Sequence, residues 1–177
     1  MCPRLRTIPD AAIADLACGL LIEQGPDAVT FAQVSQRCGL APPTLVQRFA
    51  SRTGLLEGVA GALRGRLAAA FRSGTTTASP LSGLDQALQV AAPAIAAALR
   101  LSPFVALDGF AMDLRKQISY GFAAAVEAGE LPRCDVAQLA RTVQISVTGA
   151  VATALLEQGD VQLELGRALQ EQLASFI

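Results

Sequence analysis

Residues Val29–Leu56 read VTFAQVSQRCGLAPPTLVQRFASRTGLL, two short helical patterns on either side of a glycine turn. Phe31, Val34 and Cys38 recur at helical spacing behind Thr30, whose hydroxyl can cap the free amides of a first turn. Gly39 ends that helix, because glycine accepts the left-handed conformation of a sharp stop, and Leu40 can tuck back against the helix it has left. Pro42 and Pro43 fall in the first turn of a second helix, where a missing amide proton costs nothing, and Leu45 and Phe49 make its buried stripe. Two helices joined by about three or four residues cross steeply. The pattern is a helix-turn-helix, and it leaves the far face of the second helix open toward a DNA major groove. That face carries Pro43, Thr44, Val46, Gln47 and Arg48. A helical corner inside any all-helical domain has the same local pattern, so the surrounding chain has to decide between the two.

Upstream, Asp10 opens a helix in which Ile13, Leu16, Ala17, Leu20 and Leu21 follow the i, i+3, i+4, i+7, i+8 rule, and Gly25-Pro26 stops it. Its stripe can meet Phe31, Val34, Leu45 and Phe49 to form a three-helix unit. Ahead of it lies an arm, Met1 to Pro9, whose Arg4 and Arg6 either reach backbone phosphates or belong to a frayed tail.

Composition bounds the rest. Of 177 residues, 52% are hydrophobic, many of them alanine, and aromatic residues make up 5%. A helix-forming composition of this kind predicts an all-α chain with an ample core. The most apolar run, Ala87 to Leu99, is interrupted by Gln89 and Pro93 and is shorter than the roughly 20 residues of a spanning helix, so no membrane segment is expected. The N-terminus lacks a secretory pattern, which places the chain in the cytoplasm. Cys2, Cys18, Cys38 and Cys134 have no paired spacing and read as reduced thiols, Cys18 and Cys38 as small core residues. Histidine is absent. That removes histidine-based triads and histidine metal ligands, and no carboxylate pair or phosphate loop replaces them. Neither an enzyme nor a metal or other cofactor is expected.

The net charge of −1 divides unevenly along the chain. From Thr30 to Arg66 there are Arg37, Arg48, Arg52, Arg64 and Arg66 against Glu57 alone, a local charge of +4 that coincides with the helix-turn-helix. From Leu67 onward the balance is −3.

Beyond Arg52 an amphipathic helix is expected to about Phe71, with Leu55, Leu56, Val59, Leu63 and Leu67 on one side, followed by a polar loop from Ser73 to Pro80. Four further helices are placed near Leu81–Arg100, Pro103–Ala128, Asp135–Gln158 and Val161–Phe176. Ser102-Pro103 is expected to start the second of these, Asp135 with Gln138 to cap the third, and Pro93 to kink the first. A kink opens space, and Phe104, Leu107, Asp108, Phe110, Met112 and Tyr120 are the candidate lining of a mainly apolar ligand cavity, with ordinary core as the alternative. The Asp135–Gln158 helix is apolar around most of its circumference. One side, with Ser146, Gly149, Ala150 and Thr153, allows close approach of a partner helix, and Leu163, Leu165, Leu169 and Leu173 on the last helix complete a four-helix contact between two copies.

The N-terminal residues resemble the TetR family of ligand-responsive bacterial repressors. The positions that carry the likeness are Gly25, Ala28, Thr30, Val34, Arg37, Gly39, Leu40, Thr44, Leu45, Phe49, Ser51, Arg52, Leu55 and Leu56, within a span from Ala12 to about Leu63. The resemblance implies a DNA-binding domain at residues 1–50 and a helical effector-binding and dimerisation domain at 51–177. It also implies a homodimer on a double-stranded operator, released by a small, mainly hydrophobic effector. Thr30, Pro42, Pro43, Thr44, Val46, Gln47, Arg48 and Arg52 are the DNA-contact candidates. Pro43 and Val46 suit thymine methyls and Gln47 a base edge, while Thr44, Arg48 and Arg52 suit phosphates. Dimer contacts are expected from Ser146, Gly149, Ala150, Thr153, Leu169 and Leu173. Two positions depart from the family pattern: Val46 stands where a phosphate-binding tyrosine is usual, and Ala41 where a capping serine is usual. Each loss removes roughly 1 kcal/mol of anchoring. The alternative reading is therefore a dimeric interaction protein or antagonist of the same architecture with weakened or lost DNA binding.

Overall fold

The computed structural model describes residues 8–74 and 79–174; their regular elements are helices, with no strand among the described residues. The first helix, α1 (Asp10–Gln24), stops at Gly25, whose φ of 88° lies where a side chain would be strained. A single 3₁₀ turn, Pro26–Ala28, leads into α2 (Phe31–Cys38). Thr30 Oγ1 caps α2 by accepting from the Gln33 N–H at 3.2 Å. Gly39 ends it in the left-handed conformation, and Ser35 Oγ donates to the Leu40 carbonyl at 2.6 Å, which ties the turn to the helix before it. The second helix of the pair, α3 (Pro42–Phe49), starts three residues later with both prolines in its first turn. Ile13, Ala17, Leu20, Leu21, Val34 and Leu45 close the three-helix core.

The corner from α3 into α4 (Arg52–Gly74) is tight. Ala50 adopts a positive φ of 59°, and Ser51 Oγ caps α4 by accepting from the Gly54 N–H at 3.1 Å. A Cβ on Gly54 would stand 2.2 Å from the Phe49 carbonyl oxygen, so only glycine fits. This corner sets where Arg52 begins.

α4 is the shared element of the fold. Leu55, Leu56, Val59, Leu63 and Leu67 are all buried along it, and it packs on α1, on α5 (Pro80–Leu101) and on α6 (Asp108–Glu127). One continuous apolar cluster therefore runs from Ile13 to Leu169. The alanine-rich α5 is central, touching α1, α4, α6, α7 (Val136–Glu157) and α8 (Val161–Ala174). Asp135 Oδ1 caps α7 by accepting from the N–H groups of Ala137 and Gln138, both at 3.0 Å, and Asp160 caps α8 in the same way.

Several boundaries differ from expectation. Ser102-Pro103 does not start α6: Ser102 Oγ donates back to the Leu99 carbonyl and the Phe104 N–H to the Leu101 carbonyl, so these residues finish α5 and α6 waits until Asp108. As expected, α5 spans Pro93, which lies on its exposed face. The most membrane-like helix is α7 rather than the Ala87–Leu99 run. α7 alone among the described residues is long and apolar enough to cross a membrane, yet it packs against α5, α6 and α8 and carries Arg141 and Gln144. Cys2, Arg4 and Arg6 lie outside the described residues.

Candidate functional site

On α3 the helical period separates the residues cleanly. Leu45 is buried against α1 and α2, Phe49, Arg48 and Thr44 are half-buried, and Pro42, Pro43, Val46 and Gln47 are exposed. Thr30 is occupied in capping α2. Ala41 at the N-cap of α3 supplies no side-chain bond, and none is needed, since Pro42 and Pro43 have no N–H and the Thr44 N–H donates to the Ala41 carbonyl at 2.9 Å. The outward face of α3 is thus neutral, with Val46 44% exposed at its centre.

The arginines are arranged differently from the sequence expectation. Arg48 turns toward α1, where its Nη1 donates to the Ile8 carbonyl and to Asp10 Oδ1, the latter at 3.2 Å. Arg52 Nη2 donates to the Pro26 carbonyl at 2.8 Å and its Nε to the Val29 carbonyl at 3.3 Å, with Asp27 at 3.9 Å. The Arg52 guanidinium also lies over the ring of Phe104, 5.4 Å from its centroid. Arg37 holds Glu23 with both terminal nitrogens, which keeps that carboxyl below its ordinary range. Arg66 Nε meets Asp15 at 2.9 Å, and Arg64 Nε meets Asp113 at 2.7 Å. The +4 of Thr30–Arg66 is therefore matched in space by the carboxylates of α1 and the following turn. Four of the five arginines pair with Glu23, Asp10, Asp27 and Asp15, and the fifth, Arg64, pairs with Asp113 of α6. Cutting the charge count at Thr30 hid this. Surface pairs of this kind are each worth about 0–1 kcal/mol, so a phosphate can displace the carboxylate at little cost.

In the body a cleft of about 110 Å³ lies where the end of α5, the start of α6 and the middle of α7 meet. Leu107 and Phe110 line it with Ile95, Ala98, Leu99, Ser102, Ala111, Leu114, Gln144 and Thr148. The other candidates fall elsewhere. Phe110, Leu114, Ile118 and Phe122 form the inward stripe of α6, which puts Met112 and Tyr120 on the opposite side, 71% and 58% exposed. Phe104 leaves the cleft for Arg52. The Asp108 side chain lies outside the described residues. Gln144 was missed by sequence reasoning although a signal existed. It is the lone polar residue on the stripe Ala140, Val143, Val147, Val151, and it is the buried polar side chain among the described residues.

On α7, Gly149 and Thr153 are exposed and Ser146 and Ala150 half-exposed, beside the outward apolar residues Ile145 and Leu156. Leu163 of α8 adds to this face. Leu169, expected at an interface, is only 3% exposed within its own chain, because α8 turns it against Leu84, Leu88 and Phe122. Leu173's side chain lies outside the described residues.

Residues 13–59 match the family model described as bacterial regulatory proteins, tetR family. That segment, from α1 into α4, is similar to the N-terminal part of the TetR family. The chain's all-helical fold recurs in solved TetR-family structures. PfmR from Thermus thermophilus is 19% identical, with a TM-score of 0.63 over 92% of this chain and 97% of the other. A TetR-family transcriptional regulator from Agrobacterium tumefaciens is 16% identical, with a TM-score of 0.71 over 95% and 99%. SmeT, the repressor of the Stenotrophomonas maltophilia multidrug efflux pump SmeDEF, is 17% identical, with a TM-score of 0.68 over 96% and 91%. At these identities the structures speak to fold, and the N-terminal match to a DNA-binding regulator of the TetR type. A search of curated protein sequences finds no significant match.

Proposed function

We propose that this chain is a cytoplasmic transcriptional repressor of the TetR type that binds its operator as a homodimer and is released by a small, mainly apolar ligand in the α5–α6–α7 cleft. Residues 1–50 serve as the DNA-binding domain and 51–177 as the effector-binding and dimerisation domain. The observation that carries this reading is the α5–α6 loop. Ser102 and Leu107 of that loop wall the cleft, and Phe104 between them sits on Arg52, the first residue of α4 and a neighbour of the recognition helix. A ligand that displaces the loop would move α4, and with it the separation of two recognition helices across a dimer formed by the outward faces of α7 and α8. Only one separation matches successive major grooves. A coupling of about 1–3 kcal/mol would change operator affinity roughly 5- to 150-fold.

The test is retardation of a DNA fragment carrying the gene's own upstream region, at low and moderate salt. Affinity that falls steeply with salt supports the reading; no retardation at either salt removes DNA binding. The neutral outer face of α3 and the paired arginines favour one second reading, a dimeric interaction protein or antagonist with weakened DNA binding. In that case a protein partner, rather than DNA, would cover Val46.

A further inference from the structure

We infer that the cleft selects an uncharged molecule of about one ring, carrying a hydrogen-bond acceptor that receives an N–H of Gln144. This rests on the reading of the cleft as the effector site and adds the chemistry of its ligand. Gln144 is only 7% exposed and lies on the cleft wall. Its orientation is fixed by its neighbours: Arg115 Nε donates to Oε1 at 2.6 Å, and Nε2 donates to the Ala111 carbonyl at 3.0 Å. Because a guanidinium can only donate, the amide oxygen must face Arg115 and the NH₂ group must face away from it. One of the two N–H bonds is used on Ala111; the second has no acceptor among the described residues. Nε2 is thus partnered but has capacity for one more bond, which an acceptor on a ligand entering between Leu107, Phe110 and Leu114 would take.

The remaining wall narrows the class further. No ionisable side chain lines the cleft, and Arg115, behind Gln144, directs its Nε at that amide. A carboxylate or ammonium would lose its hydration there with no countercharge. Ser102 gives its proton to the Leu99 carbonyl at 2.8 Å, which leaves the Thr148 hydroxyl as the other side-chain donor on the wall and makes the Gln144 substitutions the test of which of the two binds the ligand. The volume of about 110 Å³ is somewhat below the ~150 Å³ of an apolar cavity that admits benzene, which limits the buried part of the occupant to about a single ring.

The experiment uses the full chain and four probes of one size: benzene, benzaldehyde, phenol and benzoate. Binding is read by calorimetry and by the shift in melting temperature. Benzaldehyde should bind about tenfold tighter than benzene, and benzoate more weakly than either. Gln144→Met should bring benzaldehyde down to the level of benzene while leaving benzene unchanged. Gln144→Glu keeps an acceptor for Arg115 but has no N–H, so it should lose benzaldehyde and retain phenol; it guards against a misfolded methionine variant. Equal affinity for benzene and benzaldehyde, tighter binding of benzoate, or a benzaldehyde preference that survives both substitutions would overturn the ligand class while leaving the cleft a binding site. Failure of all four probes to bind would overturn the cleft reading and this inference together.

Discussion

The guanidinium of Arg52 stacks on the ring of Phe104 at 5.4 Å while the same side chain holds the carbonyls of Pro26 and Val29. One residue thus joins the turn before α2, the start of α4 and the loop that walls the body cleft. An exposed cation–π contact is worth about 0.5–1 kcal/mol, small enough for DNA to compete with. Phe104→Leu removes the ring but keeps an apolar side chain. If Arg52 leaves Phe104 to meet a phosphate, this variant should bind operator DNA roughly two- to fivefold tighter, measured by fluorescence anisotropy at fixed salt. Weaker binding would show that the stacked position is the one that fits DNA.

Arg48, in the last turn of α3, poses the same question on the side that faces α1. It is held by Asp10 and the Ile8 carbonyl, on the α1 side of the recognition helix. Asp10→Asn removes the competing charge and leaves a side chain of the same size. Should Arg48 then reach a phosphate, the slope of log affinity against log salt should steepen by about 0.9, and Arg48→Ala should reverse that gain. Gln47→Ala should instead leave the slope alone and reduce the preference for the operator over unrelated DNA. An unchanged slope in both Asp10→Asn and Arg48→Ala would assign Arg48 to holding α1 in place.

The helix-turn-helix was legible because its signals are local: the Thr30 cap, the Gly39 stop, the paired prolines and the Leu45 stripe each act within a few residues. The ion pairs were not. Arg48 and Asp10 are 38 residues apart and Arg66 and Asp15 are 51, so a charge count along the chain cannot show that they meet. The cleft failed for a subtler reason. Moving the start of α6 from Pro103 to Asp108 releases Phe104 from the helix, and without a sure starting point the face that Met112 and Tyr120 occupy cannot be told from the face of Phe110.

Gly54 is a position where geometry yields a requirement that the sequence reading left unmentioned. A methyl group there meets the Phe49 carbonyl at 2.2 Å, against backbone that Ala50 already holds at positive φ. Overpacking against backbone of this kind costs about 1–3 kcal/mol. Gly54→Ala should lower the urea midpoint accordingly, and should weaken DNA binding because the corner sets the tilt of α3 on α4. Gly61→Ala is the control: nothing lies within 4 Å of its added carbon, and it should be neutral or slightly stabilising in mid-helix.

The outward stripe of α7 is suited to a second copy of the chain. Ile145 and Leu156 are 63% and 85% exposed, with Gly149 between them leaving room for a close helix. A charge buried in such a contact without a partner is strongly unfavourable, and twofold symmetry places it twice. Ile145→Glu and Leu156→Glu should therefore shift the sedimentation coefficient from dimer to monomer and abolish operator binding, while the helical circular dichroism signal persists. A dimer that survives both substitutions would move the interface away from this face.

Cys18 offers a pH-dependent reading of the α1 core. The side chain is fully buried, and that burial pushes the thiol up from 9.0 to about 11, partly offset by the nearby Arg66 guanidinium. Because the folded state holds this proton more tightly than the unfolded chain, the stabilisation it brings is complete below pH 9 and declines as pH rises toward about 11. Denaturant midpoints measured across that window should fall more steeply for the wild type than for Cys18→Ala, whose own loss of stability at neutral pH reflects only the missing sulfur contacts. At pH 8 a thiol reagent should modify the exposed Cys134 quickly and Cys18 only after unfolding, since the reactive thiolate of Cys18 is scarce and out of reach. Rapid labelling of Cys18 in the native protein would mean that α1 opens from α4 far more often than a fully packed core permits.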